Sequence, residues 1–354
     1  MTNGDKRRNR KREKVSKRYK VRYDRLVAVV LVLVVLIVIL TSCVKSCSGK
    51  GKNKNSDPKA TTATATADNT QQSSIIDKLE TSNETKSIIT GTADGQKPSD
   101  AQFTSEIHKA EDVNTGNLIL VNSDHEYKFA EGDIDLTVLW DVISGDIFHV
   151  RDMVTSLDKE TLDQFQALMQ AFYDKEKNSD IYVIGGYRSK GDQDDAYWSG
   201  NSQFKGGCSD YHTGRSLDLA IVPSDGSSSG YYSPTGVYGF IDEHAAEYGF
   251  VLRYPEGKEN YTHERVRDYT YRYVGVPHAV YMKQNSLCLE EYIDKLKEHT
   301  KDDPIEVTVD KKLYQIYYAP ANSTGDTEVP VPSNKTYTVS GNNVDGFIVT
   351  VSMN

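Results

Sequence analysis

Three short segments hold the residues that could do chemistry. Residues 181–189 form an apolar run closed by Gly185-Gly186-Tyr187-Arg188-Ser189, with Gln193 beyond it. Residues 209–218 read Ser209-Asp210-Tyr211-His212-Thr213-Gly214-Arg215-Ser216-Leu217-Asp218. Residues 267–279 open with Arg267-Asp268-Tyr269-Thr270 and end in Val276-Pro277-His278-Ala279. A guanidinium such as that of Arg188 grips a carboxylate through two parallel hydrogen bonds; the alternative is a structural ion pair. Asp218 sits inside an apolar stretch, where a charge needs a partner. Cys208 lies four residues before His212, a spacing open to a nucleophile–base pair, though a structural thiol or disulfide is the simpler reading. His278 reads as a packed core histidine. His108, His125, His149, His244 and His299 show no ligand spacing.

In order and spacing these segments resemble the VanY-type zinc D,D-carboxypeptidases, which remove the terminal D-Ala of peptidoglycan stem peptides. The resemblance spans about residues 117–300 and is also carried by Leu252-Arg253-Tyr254-Pro255. The family's pattern is Ser-x-His-x-x-Gly-x-x-x-Asp, then Glu-Pro-Trp-His-Tyr-Arg-Tyr-Val-Gly. It implies zinc held by His, Asp and His, with Glu as the base. Here Asp218 matches the ligand Asp, Tyr211 stands at the first His, Thr270 at the second and Arg267 at the Glu. A phenol with a pKa of about 10 is a poor zinc ligand at neutral pH, and a neutral hydroxyl is weaker still. A guanidinium repels the metal and cannot serve as a base. The expectation is therefore no catalytic residue, no cofactor, a vestigial Asp218, and Arg267 paired with it.

The alternative is an active zinc enzyme with relocated ligands, drawing on His212 and His263 beside Asp218. His212 comes one residue late, and in an extended segment such a slip turns a side chain to the opposite face. The recognition half of the pattern is intact. The resemblance implies a substrate-binding set of Arg188, Ser189, Gln193, Ser209 and Asp218, with Arg188 facing a substrate oxygen and Ser209 near the C-terminal carboxylate.

Elements must position these residues. Leu162, Phe165, Leu168, Met169 and Phe172 recur at three and four, predicting a helix over 158–177 capped by Ser156 or Asp158. Residues 181–184, 217–222, 250–253 and 271–274 read as strands, and 237–248 and 287–299 as helices, with Gly249 a C-terminal stop. After Pro304, residues 305–309, 313–318, 336–339 and 347–351 alternate as strands. The expected fold is α+β: a small antiparallel sheet with packed helices, LAS metallopeptidase-like, over 117–303, and a small β appendage over 304–354. A β unit of that size is near the limit for folding alone, so it is expected to pack on the main domain.

The first 25 residues hold twelve Lys/Arg against three acids, a net +9. Because the whole chain is −9, the remainder is −18. That acidity argues against nucleic acid, whose phosphates it repels. Residues 26–40 carry no charge, and 26–44 approach the ~20 residues that span a bilayer. A basic flank on the N-terminal side predicts a single-pass anchor with a cytoplasmic N-terminus and an extracytoplasmic body. Leu40-Thr41-Ser42-Cys43 also resembles a lipobox, but the basic region is long for a signal peptide. Residues 45–116, with their Thr/Ala repeats and polar tracts, read as a flexible linker. The function expected is a membrane-anchored, non-catalytic protein that holds a peptidoglycan stem peptide or a wall-associated protein in an inherited cleft. A ligand-free structural ectodomain, its cleft filled by Tyr211, Tyr269 and Arg267, is a further alternative.

Overall fold

The computed structural model describes residues 102–129, 134–143 and 146–353. The basic segment 1–25, the anchor expected at 26–44 and the linker up to residue 101 lie outside them. Among the described residues no helix is long and apolar enough to cross a membrane.

Fourteen strands are present among the described residues. The central sheet orders β3 (His149–Val150), β5 (Ile181–Gly185), β6 (Ser216–Ile221), β9 (Arg267–Tyr273) and β8 (Phe250–Tyr254), and β7 (Gly230–Tyr231) pairs with β6. All these pairs are antiparallel except β3 with β5. A separate antiparallel pair joins β2 (Leu136–Val138) to β4 (Ser156–Asp158). Helix α1 (Lys159–Glu176) begins at Asp158, whose carboxylate accepts the Thr161 N–H, and ends at Lys177 in the left-handed conformation. Its buried Leu162, Phe165, Leu168, Met169 and Phe172 pack with Ile181, Val183, Leu217 and Leu219 from the sheet. The predicted helix over 237–248 is instead two 3-10 turns flanking a single short helix, Gly239–His244, closed by Gly249 at φ +85°.

The C-terminal sheet orders β10 (Ile305–Val309), β11 (Lys312–Pro320), β14 (Gly346–Ser352) and β13 (Thr336–Gly341), all antiparallel. It shares a core with the main domain: Ile305, Val307, Ile316 and Ile348 pack with Val280 and Met282 of helix α2 (Val276–Gln284) and with Tyr292, Ile293 and Leu296 of helix α3 (Leu289–Leu296). One pairing departs from the expectation. Strand β1 (Phe103–His108), inside the stretch read as linker, runs antiparallel to β12 (Thr327–Pro332). A 3-10 turn over Ala110–Asn114 follows it. The C-terminal β unit is therefore completed by residues that precede the main domain.

Candidate functional site

The site is assembled on three adjacent strands. Asp218 lies mid-strand in β6, in register with Gly185 of β5 on one side and Thr270 of β9 on the other. A side chain at Gly185 would meet this carboxylate, since an added Cβ would lie 3.0 Å from Asp218 Oδ2. Tyr211 comes from a 3-10 turn, Asp210–Thr213, that Gly214 closes at φ +67°. This turn presses the phenol against the strand. The Tyr211 hydroxyl donates into the Asp218 carboxylate, 2.7 and 2.8 Å from its two oxygens, and the Thr270 hydroxyl donates to Oδ1 at 2.7 Å. Burial, and next the neighbouring Asp218 charge, push the Tyr211 phenol well above its ordinary range, so it stays a protonated donor.

Arg267 does not pair with Asp218 as expected. Its Nη2 bonds Glu264 Oε2 at 2.6 Å, and Nη1 reaches the Tyr211 hydroxyl at 3.5 Å. The guanidinium also lies over the Tyr254 ring, 5.3 Å from its centroid. The physical reason is reach: Glu264 is buried three residues away and needs a cation, while the Asp218 oxygens already accept two hydroxyls.

The proposed substitute ligands are engaged elsewhere. His212 is fully buried, with Nδ1 2.7 Å from the Arg188 carbonyl and Nε2 accepting the Gly207 N–H at 3.0 Å. Nδ1 therefore carries the proton, and burial lowers the ring's pKa. His263 is on the surface, 3.4 Å from Asp124. Among the described residues no three His, Cys, Asp or Glu side chains are grouped to hold a metal ion. The residues around Asp218 do not fit zinc: both hydroxyls spend their protons on the carboxylate, and a cation stands at the rim. Nor is a Cys208–His212 pair formed. Both ring nitrogens of His212 have other partners, and burial, then Glu126, raise the Cys208 thiol. Cys208 and Cys288 are both free.

The residues expected to bind substrate lie near Tyr211. Ser189 caps the helix Lys190–Trp198 by accepting the Asp192 N–H, so its role is local. Arg188 is half-buried with its guanidinium 4.4 Å above the Tyr211 ring, and Nη1 donates to Gln193 Oε1 at 3.3 Å. Gln193 is fully buried and held by Ser202 and the Phe204 carbonyl. Among the described residues Arg188 has no carboxylate partner. Ser209 caps the Tyr211 turn, and its buried hydroxyl has no hydrogen-bond partner among the described residues.

Sequence reasoning missed what lies beneath. Asp210, beside Ser209, is buried and bonds Arg272 Nη1 at 2.6 Å, with Arg253 Nε at 3.5 Å. Arg253 in turn makes a two-pronged pair with Glu290, at 2.8 and 3.0 Å. Burial alone would raise the Asp210 carboxyl, but Arg272 and Arg253 outweigh it and hold the pKa below its ordinary value. The signal was present: two arginines in apolar strands, Leu252-Arg253-Tyr254 and Tyr271-Arg272-Tyr273, require buried carboxylates. Tyr269, stacked on Tyr231 with ring centroids 4.3 Å apart, was also read only as filling.

Comparison with known proteins places this geometry. The family profile "VanY: D-alanyl-D-alanine carboxypeptidase" matches residues 154–276. A D-alanyl-D-alanine carboxypeptidase of Enterococcus faecium is 34% identical over 246 residues, covering 68% of this chain and 77% of the relative. The putative carboxypeptidase YodJ of Bacillus subtilis is 26% identical over 242 residues, covering 62% and 86%. Among solved structures, the vancomycin-resistance D,D-dipeptidase VanXYg, in complex with a D-Ala-D-Ala phosphinate analogue, superposes with a TM-score of 0.60 at 26% identity, covering 71% of this chain and 99% of that one.

Proposed function

This chain belongs to the VanY-type D-alanyl-D-alanine carboxypeptidase family, and from that premise we propose that it is a member that binds the family's peptide without cutting it. One observation carries the proposal. The position expected for a metal is taken by a hydroxyl–carboxylate cluster, Tyr211 and Thr270 on Asp218, while beside it the buried Ser209 hydroxyl has no partner among the described residues and Arg188 has no carboxylate partner there. The half-buried Arg188 guanidinium, braced on Tyr211 and Gln193, offers its remaining donors to an incoming carboxylate or carbonyl. The unpartnered Ser209 hydroxyl sits at the head of the same turn. The ligand is a D-Ala-terminated stem peptide. The uncharged run 26–44 behind its basic flank anchors the protein, with the described body on the outer face of the membrane.

Calorimetry on the native protein with a D-Ala-D-Ala peptide and its L-Ala counterpart tests the binding. The D-form is expected to bind, the L-form to bind far less, and Arg188→Ala to weaken the D-form about ten- to a hundred-fold, the equivalent of a charge-assisted hydrogen bond of ~1.5–3 kcal/mol. Equal or undetectable affinity for both, with Arg188→Ala silent, leaves the ligand-free ectodomain standing. Stoichiometric zinc with chelator-sensitive D-Ala release from a pentapeptide establishes the active enzyme instead.

A further inference from the structure

A second cleft, of about 620 Å³, opens between the main domain and the C-terminal sheet, away from Asp218. Its floor is one face of that sheet. In register across three adjacent strands stand Tyr314, Ser352 and Thr336, and in the next row Thr350 and Thr338. Neighbouring strands lie about 4.8 Å apart, so the hydroxyls form a two-dimensional grid. The Thr350 hydroxyl is engaged with His278 Nε2 at 2.9 Å. Those of Tyr314, Ser352, Thr336 and Thr338 have no partner among the described residues.

The opposite wall presents an apolar strip, Val276 and Pro277, beside Asn117 and Glu160. Charge is nearly absent. No Lys or Arg lines the cleft among the described residues. Its one carboxylate, Glu160, already accepts from the Tyr273 hydroxyl at 2.7 Å and the Asn117 amide at 3.1 Å. A phosphate or other anion finds no counter-charge there, and a cation finds no free carboxylate. The volume falls in the ~300–1,000 Å³ range of ligand clefts.

We propose that this cleft is a binding site for a neutral oligosaccharide, its hydroxyl edge on the Tyr314–Ser352–Thr336 row and its apolar ring face on Val276 and Pro277. Hydroxyls both donate and accept, as sugar hydroxyls do, so a grid of them pairs with a sugar edge without fixing a charge. The proposal is independent of the D-alanyl peptide reading, which concerns the Arg188 site.

The test titrates chitotetraose, a neutral β-1,4-linked oligomer of N-acetylglucosamine, into the full-length protein in a non-glycosidic detergent, observed by ligand-detected NMR. Binding is expected, and the double variant Thr336→Ala/Thr338→Ala, at two exposed positions, should weaken it at least tenfold with the circular dichroism spectrum unchanged. Ser352→Ala, a second route to the same loss, should weaken it several-fold. Arg188→Ala should leave it unchanged. Absence of binding by the native chain overturns the proposal, as does equal affinity of native and variants. Loss of binding in Arg188→Ala also overturns it, by moving the sugar to the other site. So does occupation of the cleft by an extended peptide added to the β13 edge in place of the sugar.

Discussion

Asp218 accepts from two hydroxyls, and that arrangement satisfies a buried carboxylate without a metal. Removing one donor leaves it under-satisfied in a buried place. Tyr211→Phe should therefore cost about 1–3 kcal/mol, read as a lower urea midpoint at unchanged slope; an unmoved midpoint would count against the cluster as a stabilising unit. The reverse substitution set is more demanding. Tyr211→His, Thr270→His and Arg267→Glu together should recover stoichiometric zinc, measured by metal analysis, because Asp218 and the strands that carry positions 218 and 270 are already in register. Each single change should fail, since zinc needs about three protein ligands. A folded triple variant without zinc would sink the equivalence of these positions. At this scale the sequence was readable where types alone decide: a phenol and a hydroxyl flanking an aspartate in an apolar strand become its two hydrogen-bond donors. The partner of Arg267 was not readable. Whether it reaches Asp218 or Glu264 depends on the turn at His263, which sits at φ +54°, a backbone detail that no side-chain pattern encodes.

Among the elements, periodicity served well where it was long. Helix α1 emerged because its apolar residues repeat over several turns and Asp158 caps it. Residues 237–248 share an apolar texture but begin with Gly236 at φ +60° and pass through Gly239, so the backbone settles into short turns. Strand β12 escaped notice because Pro330 and Pro332 demote a strand pattern; it is tolerated here because β12 pairs with β1 alone, not within a wider sheet. Strand β1 was hidden by its polar neighbours. Close packing between elements makes a prediction at Gly186. An added Cβ there would lie 2.6 Å from the Ser156 carbonyl oxygen, a backbone atom that cannot swing away. Gly186→Ala should cost about 1–3 kcal/mol in thermal denaturation and, by displacing Tyr187 and Arg188, weaken the proposed peptide binding as well. Full native stability would show that β4 and β5 have room to part.

On the scale of the whole molecule, the C-terminal sheet is part of the core and not an ornament. His278 links it to the main domain, with Nδ1 2.7 Å from the Tyr292 hydroxyl and Nε2 2.9 Å from Thr350 Oγ1. Burial lowers its pKa to about 3, against about 6.5 in an unfolded chain. Above pH 6.5 both states are neutral and nothing is lost. As pH falls below 6.5, the unfolded chain binds a proton that the folded one refuses, so stability declines progressively until about pH 3. His278→Gln should flatten this slope in denaturation curves taken across that window; parallel slopes for both proteins would rule out the histidine as its source. Truncation after Asp303 should expose Val280, Met282, Ile293 and Leu296 and give a chain that aggregates, as light scattering would report.

The pairing of β1 with β12 has a mechanical side. Tension reaching the body along the chain upstream of Phe103 arrives first at this two-stranded ladder, whose Val329 and Val331 pack against Phe347 and Val349 of β14. A pull on the chain ahead of Phe103 thus loads the C-terminal β unit before it reaches the strands around Asp218.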